Sequence, residues 1–178
     1  MINKLNYILS VCLVLLMACQ DPAPQVPYNK IPKENPTESL IEMNKEFAAI
    51  EDSLIRAYID SLSLPFTTTK SGLRYYITNQ GEGDTISLAD QVTFRYSVKL
   101  LDGSTCDKLT DVVKTENLGH CDMERGYREA LLLMKQSSSG VFVMPSFLAY
   151  GVIGVPKCIP AWTPVECTIT VIEVKRDR

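Results

Sequence analysis

Several residue types and motifs that mark common catalytic sites are scarce in this chain. Its 178 residues include a single histidine, His120, which leaves no His-rich metal site and argues against a histidine-based catalytic triad. The chain has no CxxC pair, no GxGxxG or P-loop, and no nucleophile elbow. We therefore expect neither a metal nor a cofactor.

An excess of positive charge is also missing. Lysine and arginine number 18 against 21 aspartate and glutamate residues, for a net charge of −3. A nucleic-acid-binding domain needs a basic face, so we expect no nucleic-acid partner. The apolar fraction of 46% and the charged fraction of 22% are ordinary for one globular domain with extensions.

No apolar run reaches the length of about 20 residues that spans a bilayer comfortably. The run over residues 7–16 follows Lys4 and ends in Leu16-Met17-Ala18-Cys19. This pattern predicts a signal peptide over residues 1–18. Its end resembles the bacterial lipobox, which implies lipid modification of Cys19 and a membrane anchor outside the cytoplasm. The alternatives are an uncleaved anchor and an ordinary signal peptide.

A proline-rich stretch and a helical pattern follow. Residues 19–34 contain Pro22, Pro24, Pro27 and Pro32, which predicts an extended tether. Asn35 is a suitable cap, Pro36 suits the first helical turn, and Glu38 completes a capping box. We predict an amphipathic helix over residues 35–64.

The apolar stripe of this helix needs a partner. Its members are Leu40, Met43, Phe47, Ile50, Leu54, Tyr58 and Leu62. Such a stripe packs on its own domain, stays with a mobile arm, or forms a dimer interface, and the sequence leaves these three open.

A strand pattern begins at Ser71. Strands are predicted over residues 72–78, 92–100, 140–144 and 165–174, and one short helix over residues 126–134. Turn signals lie at residues 81–84, at Asp102-Gly103 and at residues 137–139. The pattern predicts an α+β fold over residues 69–176, with a bent antiparallel sheet wrapped on the short helix behind the N-terminal helical arm.

A set of short motifs in this region carries a family resemblance. They are Ser71-Gly72-Leu73-x-Tyr75, Gly81-x-Gly83, Tyr96, Asp102-Gly103, Asp107, Leu118-Gly119, Arg125-Gly126-Tyr127, Leu148-Ala149-Tyr150-Gly151 and Ile159-Pro160. Together they resemble the FKBP-type peptidyl-prolyl cis-trans isomerase domain. With the preceding helix and the lipoprotein signal, the chain is similar to Bacteroidota-type lipoproteins that carry such a domain.

The resemblance implies a cup that holds a proline ring. The implied catalytic residues are Tyr96, Asp107, Tyr127 and Tyr150. The implied substrate-contacting residues are Met123, Glu124, Ile159, Cys106 and Cys167. This sequence departs from the family pattern at four of these positions: Tyr127 replaces a tryptophan, Cys106 and Cys167 each replace a phenylalanine, and Glu124 replaces an aliphatic residue.

The domain contains Cys106, Cys121, Cys158 and Cys167. The resemblance places three of them, all but Cys121, near the cup wall, and an oxidising compartment favours disulfides. The hypothesis is a bond between Cys106 and Cys158, with Cys167 as the alternative partner of Cys106. The other interpretations are buried small hydrophobic residues and, as an outsider, a zinc site.

Two functions follow from the resemblance. The first is a lipid-anchored prolyl isomerase or folding helper that acts on proline-containing polypeptides in the cell envelope, at the outer membrane on its periplasmic side or at the surface. The second is a catalytically silent module that uses the same fold for binding or structure.

Overall fold

A computed structural model describes residues 36–176, and side chains from residue 40 onward. The predicted signal peptide, Cys19, the tether over residues 19–34 and the Asn35 cap lie outside the described residues.

An antiparallel sheet of six strands forms the body of the structure, in the order β1-β2-β7-β8-β4-β5. Its strands are β1 Thr67–Thr68, β2 Arg74–Asn79, β4 Gln91–Leu100, β5 Val112–Asn117, β7 Ser139–Met144 and β8 Val165–Lys175. A second, two-stranded sheet pairs β3 Glu82–Thr85 with β6 Lys135–Gln136. Along β4, alternation buries Val92, Phe94, Tyr96 and Val98 on one face, as a half-buried strand requires.

One short helix, α2 Arg125–Leu132, packs on that buried face through Tyr127, Ala130 and Leu131. Gly126 allows the close approach, because a Cβ there would lie 2.7 Å from the carbonyl oxygen of Leu148. The predicted α+β fold, with an antiparallel sheet on one short helix behind an N-terminal helix, is confirmed.

Strands that lack a strong pattern were not predicted. β5 lies at the sheet edge, and most of its residues are exposed, so its sequence carries no regular apolar alternation. The strands β1, β3 and β6 have only two to four residues each, which is too short for a period to be recognised.

The N-terminal helix α1 spans Pro36–Leu62 and packs on the domain from Phe47 onward. Ile55 is fully buried, and the Phe47 ring stacks on Trp162 with centroids 5.0 Å apart. The Tyr58 hydroxyl donates a 2.6 Å hydrogen bond to Glu166. Of the three alternatives for this helix, the structure shows packing on its own domain.

Two acidic side chains complete this docking. The buried Glu51 carboxylate accepts hydrogen bonds from the backbone N–H of Ser146, at 2.8 Å, and from its hydroxyl. Next to it, Asp52 forms an ion pair with the buried Arg74.

The predicted apolar stripe is the docking face only in part, because Phe47 and Tyr58 contact the domain whereas other members are exposed. Ile50 and Leu54 are 51% and 54% exposed, and Met43 is 42% exposed. Because the domain presents polar partners for Glu51 and Asp52, the helix turns these residues and Ile55 inward. Much of the apolar stripe is left on the flank.

No helix within residues 36–176 is long and apolar enough to cross a membrane.

A disulfide joins Cys106 to Cys158, whose Cα atoms lie 5.4 Å apart, within the usual range. It connects the segment before the 3-10 turn Asp107–Leu109 to the loop that leads into Ile159. Cys167 is buried as a free thiol in β8, and Cys121 is also free. The formation of the bond in the mature protein stays a prediction.

Replacing Glu51 by alanine is expected to lower the free energy of unfolding by about 2 kcal/mol, because two buried donors of Ser146 lose a charged acceptor. Urea unfolding followed by circular dichroism measures this change. Glu46→Ala, at an exposed position of the same helix, is the control and should change stability by less than about 0.5 kcal/mol. Equal midpoints for the two variants would contradict the docking role of Glu51.

Digestion of the non-reduced protein with trypsin and a Glu-specific protease should release one species that links the peptides of Cys106 and Cys158. Cleavage at Glu166 separates Cys158 from Cys167, so mass spectrometry can assign the pair. Reduction should lower the free energy of unfolding by about 2–4 kcal/mol through loss of the closed loop. Cys121→Ala is the control and keeps the linked species. A link that contains Cys167 would show that the pairing is wrong.

Candidate functional site

Three tyrosines from separate elements converge at one end of the core. Tyr96 lies on β4, Tyr127 in the first turn of α2, and Tyr150 after the 3-10 turn Ser146–Leu148. The rings of Tyr96 and Tyr127 meet edge to face at 5.2 Å, and those of Tyr127 and Tyr150 at 6.3 Å. Edge-to-face contact is a preferred aromatic geometry. We call these three residues the tyrosine cup.

Local structure explains how each tyrosine is placed. The alternation of β4 turns Tyr96 to the core, and Tyr127 shares the buried face of α2 with Ala130 and Leu131 at spacings of three and four. Tyr150 follows the turn that begins at Ser146, whose carbonyl oxygen accepts the N–H of Gly151 at 2.8 Å. Since Ser146 is held by Glu51, the docking of α1 also supports the segment that carries Tyr150.

The cavity at the cup is small. It measures about 10 Å³ and is lined by Phe94, Tyr96, Lys114, Met123, Glu124 and Tyr127. That volume corresponds to about one water molecule, so a proline ring does not fit in this cavity. Tyr150 does not line it. The hydroxyls of Tyr127 and Tyr150, 2.5 Å apart, share a hydrogen bond that joins two of the cup residues.

Burial keeps the hydroxyls of the cup neutral. Burial is the main cause of the raised pKa of Tyr127, which lies well above its usual value. Burial is also the main cause of the raised pKa of Tyr150. The pKa of Tyr96 is raised by burial and then by the negative charge of Glu124. All three hydroxyls therefore remain protonated, and able to donate a hydrogen bond, at physiological pH. Burial likewise raises the pKa of the Cys167 thiol, so this thiol is not an activated nucleophile.

The structure brings most of the predicted site residues together. Met123 and Glu124 line the cavity, and Ile159 and Cys167 are buried in the core cluster that includes Tyr96 and Tyr127. Asp107 does not line the cavity and is exposed at the start of its 3-10 turn. Cys106 is buried and bonded to Cys158.

Two cavity-lining residues were missed. Phe94 lies two residues before Tyr96, so the period of a strand could have placed it on the same face. Lys114 lies on β5, the strand that the sequence pattern did not predict, with its Nζ atom 5.9 Å from the centroid of the Tyr96 ring. This distance suits a cation–π interaction.

A larger apolar groove of about 560 Å³ lies beside α1. It runs between Leu54 and Tyr58 of the helix and the loops at residues 100–102 and 160–164. Among the described residues, no group of three or more metal-binding side chains is placed to hold a metal ion.

Comparisons with known proteins agree on one family. Residues 83–172, about half of the chain, match the family model described as FKBP-type peptidyl-prolyl cis-trans isomerase. The chain is 31% identical over 107 residues to the FKBP-type 22 kDa peptidyl-prolyl cis-trans isomerase of Escherichia coli, covering 60% of this chain and 52% of that protein. It is 35% identical over 81 residues to the outer membrane protein MIP of Legionella longbeachae, covering 46% and 35% of the two chains.

The chain thus spans about half the length, or less, of these curated relatives. Among solved structures, the crystal structure of FkpA from Escherichia coli matches with a TM-score of 0.60 at 24% identity, covering 79% of this chain and 66% of that one. This likeness supports the fold alone. On the match over residues 83–172, the chain belongs to the FKBP-type peptidyl-prolyl cis-trans isomerase family.

Proposed function

We propose that the protein is a peptidyl-prolyl cis-trans isomerase and folding helper whose degenerate cup must open to admit a proline. The observation that carries this proposal is the convergence of Tyr96, Tyr127 and Tyr150 at one buried site. Relatives that match the same region are named FKBP-type isomerases. The substrates would be proline-containing polypeptides.

The reaction needs no covalent chemistry. Rotation about a peptide bond must cross a barrier of about 18–20 kcal/mol, because it destroys the amide resonance. A cup lowers this barrier when it binds the twisted form better than the planar one and removes water from the carbonyl. In the proposed mechanism, the Tyr127 ring is the floor, the Tyr96 ring is a wall, and the Tyr150 hydroxyl donates to the substrate carbonyl. The backbone N–H of Glu124 is a second donor.

Opening the cup has a cost. Where the Tyr150 hydroxyl is the donor of its hydrogen bond with Tyr127, it must leave that bond before it can donate to a substrate carbonyl. A neutral hydrogen bond contributes about 0.5–1.5 kcal/mol, which corresponds to at most about a tenfold loss in rate. Cysteines at positions 106 and 167 also offer less apolar surface than phenylalanines, at about 25 cal/mol per Å². These features favour weak rather than high activity.

A second candidate is a catalytically silent binding or structural module. The cavity of about 10 Å³ at the cup favours this reading, as does the far larger groove beside α1. Asp107, which the resemblance assigns to the polar wall, is exposed rather than lining the cavity.

The proposal also includes the place of the protein in the cell. Residues 1–18 would be a lipoprotein signal peptide, Cys19 the lipidated residue, and residues 19–34 the tether to the helix over residues 35–64 and the domain over residues 69–176. The N-terminal sequence supports this organisation, and one relative is named an outer membrane protein. The protein would act in the cell envelope outside the cytoplasm.

We also propose that two copies of the chain associate through α1. The exposed apolar flank of this helix supports that association. Met43, Ile50 and Leu54 are spaced by seven and four positions and are all exposed, as a helix-pairing seam requires. Sedimentation velocity that finds only monomers at high micromolar concentration would exclude this association.

Isomerisation of a short Xaa-Pro peptide by the full-length chain tests the main proposal. Tyr150→Ala should lower kcat/KM at least tenfold, because it removes both a donor and a wall of the cup. Tyr76→Ala is the matched control, since this tyrosine lies on β2, packs against Phe66 and takes no part in the ring contacts of the cup. A folded wild-type chain without activity would favour the silent module.

Replacement of Cys19 by serine should abolish labelling of the chain by radioactive palmitate and release it from the membrane fraction, because the acyl chains need the thiol. Two acyl chains anchor a protein far more firmly than one. Cys12→Ser, within the predicted signal peptide, is the control and should keep the label. Labelling that survives in Cys19→Ser would contradict the lipoprotein assignment.

A further inference from the structure

One acidic side chain lies in the lining of the cup. Glu124 is half-buried and lines the cavity together with Tyr96, Met123 and Tyr127. It directly precedes α2, at a position where an acidic side chain can cap a helix, yet its side chain makes no capping hydrogen bond. Its carboxylate is therefore not used by the helix.

No ion pair neutralises this carboxylate among residues 36–176. Lys114, the other charged residue of the lining, lies over the Tyr96 ring and not within ion-pair distance of Glu124. Arg125, the next residue along the chain, is exposed. Glu124 therefore lines the cavity as a carboxylate without an ion-pair partner among these residues.

The charge of Glu124 reaches the cup hydroxyls. After burial, it is one of the causes that raise the pKa of Tyr96, and it also contributes to the raised pKa of Tyr150. A negative charge opposes ionisation of a neighbouring hydroxyl only where solvent screens it incompletely. The Glu124 carboxylate therefore acts on the hydroxyls of the cup, and the Lys114 ammonium over the Tyr96 ring is the other charge of the cavity lining.

We propose that Glu124 makes the cup select proline-containing segments that carry lysine or arginine next to the proline. This inference rests on the proposed function and names the substrate class of the same site. Successive residues of an extended chain are about 3.3–3.6 Å apart, so the neighbour of a seated proline reaches the rim of the cup. A cationic neighbour pairs with Glu124, an anionic one is repelled, and an apolar one desolvates the carboxylate without compensation.

Peptides that differ at a single position test this selectivity on the full-length chain. One series varies the residue before the proline and another the residue after it, each with lysine, glutamine or glutamate. In at least one series, kcat/KM for the lysine peptide should exceed that for the glutamine peptide about three- to tenfold at low salt. The ratio should shrink in 0.5 M salt, as screening requires.

Variants identify the charge responsible. Glu124→Gln should bring the lysine-to-glutamine ratio close to one, and Glu124→Lys should reverse the preference toward the glutamate peptide. Asp122→Asn removes an exposed acidic charge that does not line the cavity and should keep the wild-type ratio. Thermal unfolding confirms that each variant is folded.

Fluorescence anisotropy with labelled peptides repeats the comparison for binding, so that the inference is tested even where turnover is absent. The inference would be overturned by a lysine preference that is the same in wild type and Glu124→Gln, or by one that Asp122→Asn loses as fully as Glu124→Gln does. Either result would leave the isomerase proposal standing. A chain that binds lysine peptides selectively without isomerising them would support the inference and contradict the isomerase proposal. A chain that neither binds nor isomerises any peptide would overturn both.

Discussion

The buried carboxylate of Glu51 links the N-terminal helix to the functional end of the domain. It accepts the backbone N–H and the hydroxyl of Ser146, the first residue of the turn that precedes Tyr150. Because a buried charge is costly unless it is fully hydrogen-bonded, this contact has a defined geometry. The contact between Glu51 and Ser146 therefore couples the docking of α1 to the position of the segment that carries Tyr150.

The cup combines closely packed aromatic rings with little free space. Tyr96, Tyr127 and Tyr150 pack edge to face and leave a cavity that holds about one water molecule. At two positions where the resemblance implies phenylalanine the chain has cysteine, and one of these, Cys106, is bonded to Cys158. The result is a site with little free space, so the proposed isomerase activity requires side-chain movement.

Acidic side chains serve two different purposes in this protein. Glu51 and Asp52 have buried partners and contribute to the packing of α1, whereas Glu124 has none among the described residues and borders the cup. The two classes differ in whether the negative charge has a partner within the protein. A paired carboxylate stabilises the fold, and an unpaired one is available to a ligand. Sequence alone does not separate the two classes, because all three residues are acidic side chains within or next to a helix.

Regular patterns in the sequence predicted the fold class, the long strands β4 and β8 and the helix α1, because periodicity is a local property. The resemblance of short motifs to the FKBP-type domain, and not periodicity, indicated the three cup tyrosines. The edge strand β5, and with it Lys114, was not predictable, since an edge strand needs no apolar face. The stripe of α1 predicted its orientation only in part, because Ser146 and Arg74 are distant in sequence and only folding brings them to Glu51 and Asp52. The closed state of the cup was likewise decided by tertiary structure, since a hydrogen bond between Tyr127 and Tyr150 depends on how a helix and a loop meet.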